Sequence, residues 1–299
     1  MAFGNLLLMI RKYIPEWIKE SYRRVRAKLL SIGLPRYTDF AQPQDEIQAS
    51  QDISVIIAIH DSVEFTCRCL KSVERYGAKS EIVLVDDASE LKETVNIIRE
   101  YQERNSWKVI RHDKTMGHSQ SCVDGARVSM RPYLCFLNSD TFITPWSWVG
   151  AKQAFESDPR IAVTGPSSSW ASTEQKVRRA EYCRNYWTDN QILAFAEKYV
   201  SSHRNAIPVD LHEVSGFAFF IRRIIWSDLG GFDLNLPDYG NESELCVRLS
   251  KRGFRLVWTQ NSYIHHFGQK TFIETMGRDQ IVNRRLAAKA YIERVYKRL

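Results

Sequence analysis

The chain has 299 residues, of which 44% are hydrophobic, 12% aromatic and 26% charged, with 14 Gly and 9 Pro. That is a folded globular composition with enough apolar residues for one sizeable core, and it excludes disordered, collagen-like and low-complexity classes. The net charge of +7 is unevenly spread: residues 1–36 hold eight Lys/Arg against two Asp/Glu, residues 278–299 seven against two, and the middle is mildly acidic.

Residues 1–36 read as a basic amphipathic helical segment. Ile14, Trp17, Ile18, Val25 and Leu29 recur along one face while Lys12, Lys19, Arg23, Arg26 and Lys28 occupy others. Such a face suits either an anionic membrane surface or packing against protein. No nucleic-acid-binding motif accompanies the charge, so nucleic acid is not expected as a partner. No window approaches the roughly 18–20 apolar residues of a membrane span. The six cysteines are scattered without paired C-x-x-C spacing, which fits reduced thiols in a cytoplasmic protein. No cleaved-signal pattern opens the chain.

Pro35–Ser50 is polar, holds two prolines and lacks periodicity, so 37–51 is expected to be a linker. The pattern then changes. Ile53–Ile59 is a continuous run rich in β-branched residues, as in a strand buried on both faces. A helical stretch at about 64–76, the strand Glu81–Val85, a helix at about 91–104, a strand at Trp107–Ile110, a helix near 118–129 and the strand Tyr133–Leu137 follow. This alternation predicts an α/β fold with a mostly parallel sheet and flanking helices. Ligands of such sheets bind beyond the carboxyl ends of the strands. There the sequence carries His60-Asp61, Asp86-Asp87 and Asn138-Ser139-Asp140. Asp86 and Asp87 could also cap the helix that follows, and Asn138–Thr141 could be a surface turn. The first turn, Ile59-His-Asp-Ser-Val-Glu64, has no glycine fingerprint and no P-loop is present, so a metal is the expected means of holding phosphates.

Together these residues resemble the family 2 glycosyltransferases of the GT-A fold, over about 52–270. Ala58-Ile-His-Asp61 stands where that family has Pro-Thr-Tyr-Asn, and Val85-Asp-Asp-Ala-Ser89 matches its second-strand motif. Met116-Gly117 through Asp124-Gly125 looks like its glycine-marked helix, and Leu137-Asn-Ser-Asp-Thr141 occupies its Asp-x-Asp position. Gly230-Gly-Phe-Asp233 followed by Asn241-Glu-Ser-Glu-Leu-Cys246 and Arg248 resembles its acceptor-side motif.

The resemblance implies a GT-A domain over 52–277 followed by a basic C-terminal helix over 278–299. The implied donor-binding residues are Ala58, Ile59, His60, Asp61, Glu64, Asp87, Gly117, Asn138, Ser139 and Asp140. Asp87 would accept the imide N–H of a pyrimidine base. Asp140, helped by His265 or His266 with His265 favoured, would hold Mg²⁺ or Mn²⁺. Asn138 replaces the first acid of that motif. Glu242 would be the catalytic base of an inverting transfer from a nucleotide-sugar donor, and Glu244 an acceptor-side residue. Glycan or polysaccharide assembly on a glycan or lipid-linked acceptor is the expected setting, at the inner face of a membrane as a peripheral protein. A degenerate GT-A domain that binds nucleotide or glycan without catalysis is the alternative. A nucleotidylyltransferase would call for a glycine-rich basic loop after the first strand, which is missing.

Overall fold

A computed structural model of the chain describes residues 34–77, 79–181, 187–268 and 278–296, together with 21 and 25. The expected basic helical segment at 1–36 lies almost wholly outside the described residues. Among the described residues no helix is long and apolar enough to cross a membrane.

The stretch expected to be a linker is folded. It forms a 3-10 turn at Tyr37–Asp39 and helix α1 (Gln44–Ser50), with Phe40, Glu46, Ala49 and Ser50 buried. The reason lies in one side chain. The Glu46 carboxylate accepts the backbone N–H of Trp148 at 2.7 Å and of Val149 at 3.1 Å, satisfying amides at the start of helix α5 (Val149–Ser157) that no helical carbonyl can reach. Burial pushes the Glu46 carboxyl up to about 8.

The first half of the domain runs β1 (Ile53–Ile59), α2 (Val63–Tyr76), β2 (Glu81–Asp86), α3 (Lys92–Asn105), β3 (Lys108–Arg111), α4 (His118–Arg127) and β4 (Tyr133–Leu137). These four strands are parallel, with Ile59 opposite Asp86 at the carboxyl rim. Their apolar residues alternate between two cores: Val55, Ile57, Ile82 and Leu84 in one, Ile56, Val83 and Val85 in the other. Burial on both faces is why these runs read as continuous rather than alternating. At the rim, Asp61, Ser62 and Ala88 hold left-handed backbone, with φ of 52°, 61° and 57°. Non-glycine residues tolerate this only where surrounding structure enforces it, and such positions cluster at functional sites.

The second half comprises β5 (Thr141–Ile143), α5, β6 (Ile161–Ser167), α6 (Arg178–Glu181), α7 (Asp189–Ser202), β7 (Val209–Asp210), β8 (Ala218–Arg222), α8 (Arg223–Leu229), α9 (Asn241–Lys251), β9 (Arg255–His266) and α10 (Arg278–Tyr296). The sheet order is β3-β2-β1-β4-β8-β6-β9-β5, with β7 beside β9. Strand β8 is antiparallel to β4 and β6, whereas β9 is parallel to β6. This is the expected α/β class with a mostly parallel sheet.

Strand β9 runs through both histidines, and its pairing with β6 shifts register between Thr259 and Tyr263. Its last residues pair with β5, setting His266 opposite Thr141.

Candidate active site

Two adjoining cavities open at the carboxyl rim of the sheet. The first, about 330 Å³, is lined by Ala58, Ile59 and His60 from the end of β1, Asp87 after β2, and Gly117 at the start of α4. Asn138, Ser139 and Asp140 after β4 complete the expected residues in its wall. Asp87 is almost wholly enclosed and heavily bonded. Its Oδ1 accepts from Met116 N at 2.7 Å and His112 Nδ1 at 2.7 Å, and its Oδ2 from Gly117 N at 2.9 Å. An ionised carboxylate offers about four acceptor sites, so one is left after three protein donors. His60 Nδ1 donates to the Asp87 carbonyl at 2.8 Å. Asp86, its neighbour, is spent on structure, accepting from Ser89 N at 2.9 Å and pairing with Arg111.

Two residues expected in the donor set are elsewhere. The Asp61 carboxylate accepts the N–H groups of Glu90 at 3.0 Å and Leu91 at 2.9 Å, tying the β1–α2 turn to the start of α3. Glu64, in the first turn of α2, is solvent-exposed and absent from the cavity wall. The resemblance implied both; the turn directs both away.

Asp140 and His266 meet at the boundary of the cavities, Nε2 to Oδ1 3.1 Å. His266 Nδ1 is 3.1 Å from the Trp170 carbonyl, which can only accept, so Nδ1 carries a proton. A neutral ring then turns the Nε2 lone pair toward a carboxylate oxygen, and two acceptors face each other unless a proton or a cation lies between them. One carboxylate and one imidazole fit a divalent ion whose other positions are filled by phosphate oxygens and water. Among the described residues no three His, Cys, Asp or Glu side chains gather around one point, consistent with Asn138 standing where a second acid was looked for.

The expectation favouring His265 is corrected. His265 is fully buried, its Nδ1 3.0 Å from the Tyr263 hydroxyl, and it packs against Trp187 and Phe267. Adjacent strand residues point to opposite faces, and the register shift upstream decides which of the two reaches the rim.

The second cavity, about 720 Å³, shares His118, Asn138 and Asp238 with the first and adds Trp170, Glu213, Gly216, Tyr239, Glu242 and His266. Glu242 lies in the first turn of α9. Burial, reinforced by the nearby Glu213, pushes its carboxyl up to about 7. Gly216 makes room for it: a Cβ there would lie 2.0 Å from Glu242 Oε1. Glu244 is not on this side. Its carboxylate makes a two-pronged pair with Arg248, Nε and Nη2 each at 2.7 Å, and accepts from the Tyr296 hydroxyl. Residues two apart on a helix do not face the same way. The acceptor-side expectation for Glu244 therefore fails on geometry.

Sequence reasoning missed several lining residues. His118 borders both cavities. Asn241 Nδ2 donates to its Nδ1 at 3.3 Å, leaving the proton on Nε2, and burial lowers its pKa to about 4, so the ring is neutral near pH 7. Burial, with Asp140 and Glu242 adding to it, pushes the Tyr239 hydroxyl up to about 12. Helix α10 contributes Arg284 to the first cavity and Arg285 and Lys289 to the second. The surplus of Lys and Arg at 278–299 was the available signal, but charge alone did not say which surface it faces. Trp170 also lines the second cavity, whereas Trp187 packs against the core.

Residues 54–230 match the model of the family described as Glycosyl transferase family 2. The chain belongs to that family. Solved structures similar to this transferase share its fold at low identity. GalNAc-T7 with UDP, GalNAc and Mn²⁺ superposes with a TM-score of 0.55 at 19% identity, covering 73% of this chain and 44% of that one. The mannosyltransferase PcManGT of Pyrobaculum calidifontis, with GDP-Man and Mn²⁺, gives 0.51 at 14%, covering 72% and 56%. S. aureus TarS 1–349 gives 0.52 at 14%, covering 75% and 62%. An uncharacterized protein of Mycobacterium tuberculosis is 36% identical over 80 residues, which is 25% of this chain and 29% of that protein. The chain thus spans less than two thirds of each of these proteins. Its fold is GT-A, as in those structures.

Proposed function

We propose that this glycosyltransferase is metal-dependent and inverting, moving a sugar from a nucleotide-diphosphate donor to a hydroxyl of a glycan or lipid-linked acceptor in glycan or polysaccharide assembly. The observation that carries this reading is the junction of the two cavities. Asp87 and Asp140 line one, Glu242 and His266 line the other, and His118, Asn138 and Asp238 belong to both.

The smaller cavity takes the nucleotide. The acceptor site left on Asp87 suits the imide N–H of a pyrimidine, and the UDP in the GalNAc-T7 structure supports that donor class. Asp140 and His266 would hold Mg²⁺ or Mn²⁺; bound there, the ion offsets the diphosphate charge and stabilises the departing nucleotide. Glu242 takes the proton of the acceptor hydroxyl as that oxygen bonds to the anomeric carbon. The bond from that carbon to the phosphate oxygen breaks, and the nucleoside diphosphate leaves with the electron pair. A carboxylate titrating at about 7 is matched to accepting a proton near neutral pH. His118, neutral under those conditions, and Asn241 hold the start of α9 against the start of α4, and so fix the base relative to the donor.

Thermal-shift screening of nucleotide sugars with and without Mn²⁺, followed by transfer assays with the stabilising donor, tests the reading. A pyrimidine nucleotide sugar should stabilise the protein in a Mn²⁺-dependent manner. If no nucleotide sugar stabilises it under either condition, the donor assignment fails.

The basic residues 1–36 support peripheral attachment at the anionic inner face of a membrane. Co-sedimentation with anionic vesicles should depend on that segment. Absence of sedimentation with and without it removes this location.

A further inference from the structure

Helix α10 is anchored on the acceptor side of the molecule. The Tyr291 hydroxyl donates to Asp233 Oδ2 at 2.6 Å, Tyr296 donates to Glu244, and Arg284 pairs with Asp238. Gly240, at φ 79° just before α9, lets the helix approach closely: a Cβ there would lie 2.8 Å from Ala288 Cβ. The helix is thereby held against the turn that carries Glu242, with Arg285 and Lys289 in the wall of the same cavity. Residues four apart lie on one helix face, about 5–6 Å apart at Cβ, a spacing that lets two cations grip one tetrahedral anion.

The neighbouring cation, Arg284, is already neutralised by Asp238. Arg285 and Lys289 are not. The Arg285 guanidinium sits over the Tyr239 ring, 5.4 Å from its centroid, and a guanidinium stacked on a ring keeps its N–H donors at its edge for a ligand. Among the described residues neither Arg285 nor Lys289 has a carboxylate partner. Of the acids in the cavity wall, Glu242 is the proposed base and pairs with neither cation among the described residues, and the other three are engaged. Glu213 accepts from the Ser243 hydroxyl at 2.7 Å, Asp238 belongs to Arg284, and Glu293 is not free. Both side chains are exposed, so water hydrates them in the free protein and their donors stay open to an anionic group of the acceptor, which a neutral sugar lacks.

We propose that the acceptor is anionic: it carries a phosphate close to the reacting hydroxyl, and Arg285 and Lys289 bind that phosphate. The inference rests on reading the Glu242 cavity as the acceptor side.

The test is titration calorimetry on the full chain saturated with UDP and Mn²⁺, using sn-glycerol 3-phosphate as probe and glycerol as neutral control. Glycerol 3-phosphate should bind at least about tenfold more tightly than glycerol. The double variant Arg285→Ala/Lys289→Ala should lose that preference while keeping UDP affinity within about twofold. The charge-preserving variant Arg285→Lys/Lys289→Arg should retain most of the preference, which separates loss of charge from damage to α10. Vesicles containing phosphatidic acid distinguish the source of the phosphate. Sedimentation reduced by the double alanine variant supports a lipid headgroup, and binding of the soluble probe alone supports a free or polymer-borne phosphate. Equal binding of glycerol and its phosphate overturns the proposal. So does a loss of UDP affinity in the alanine variant, which would give these cations to the donor diphosphate. If the wild-type chain fails to bind UDP, the donor assignment falls, and the same titration without nucleotide still judges the anion site.

Discussion

The two cavities are built differently. The smaller is made by parallel strands and the loops at their carboxyl ends, and its key groups are already fixed by the protein: Asp87 by three donors, His60 by the Asp87 carbonyl. The larger draws mostly on the second half of the chain, from the end of β9, the start of α9 and the face of α10, with His118 and Asn138 from the first half. There burial raises the carboxyl of Glu242 and the hydroxyl of Tyr239. The first arrangement suits rigid recognition of a constant ligand part. The second suits the proposed chemistry, which needs a base whose proton affinity is tuned by its surroundings.

The comparison breaks most directly at Glu242. Glu242→Gln should lower turnover by about a hundredfold or more while leaving nucleotide affinity intact, because only the proton acceptor is lost. Turnover near the wild-type value would show that the base lies elsewhere. On the donor side the opposite pattern is expected. Asp140→Ala or His266→Ala should weaken nucleotide binding about ten- to a hundredfold in Mn²⁺ and hardly at all in EDTA, whereas His265→Ala should leave the Mn²⁺ dependence unchanged. Equal weakening with and without metal in the Asp140 variant would point to damaged folding. Gly216→Ala, which forces Glu242 aside without removing it, should cost turnover about tenfold or more through misplacement alone. The pH profile reports the same base: kcat/KM should climb as pH rises through about 7, where Glu242 loses its proton, and level off above. An ascending limb near pH 4.5 would mean that the base is an ordinary exposed carboxylate.

How much was legible in the sequence follows the same division. The buried strands Ile53–Ile59, Glu81–Val85 and Tyr133–Leu137 announce themselves by continuous apolar runs, and the rim residues follow from where those runs stop. What failed were properties of direction. Asp61 and Glu64 sit beside the rim but turn from it, because left-handed backbone at Asp61 and Ser62 redirects the chain. His265 and His266 could not be told apart because the register shift in β9 breaks the simple alternation along the strand. Helix α10 shows a basic composition but no motif, and its place on the second cavity depends on the small residues Gly240 and Ala288, whose close approach is not visible in one dimension. The segment 37–51 lacked periodicity because a single carboxylate, Glu46, and a few buried side chains secure it.

The smallest effects separate the two glutamates of α9 by stability. Glu244→Gln removes one partner of an enclosed ion pair and should cost about 1–3 kcal/mol by denaturant unfolding, with turnover unchanged where the protein is folded. Glu242→Gln should do the reverse above neutral pH. The folded-state pKa of Glu242, about 7, is above the ordinary carboxyl value of 4.5, so the native state binds more protons between those values. The charged side chain therefore counts against the fold increasingly as pH rises from 4.5 to 7, and fully above that. Replacing it with an uncharged amide should raise the unfolding midpoint at pH 8 and change it little at pH 4.5. A midpoint that falls at pH 8 would mean that the carboxylate is stabilised by its surroundings, and a base with an ordinary pKa would then have to account for the chemistry.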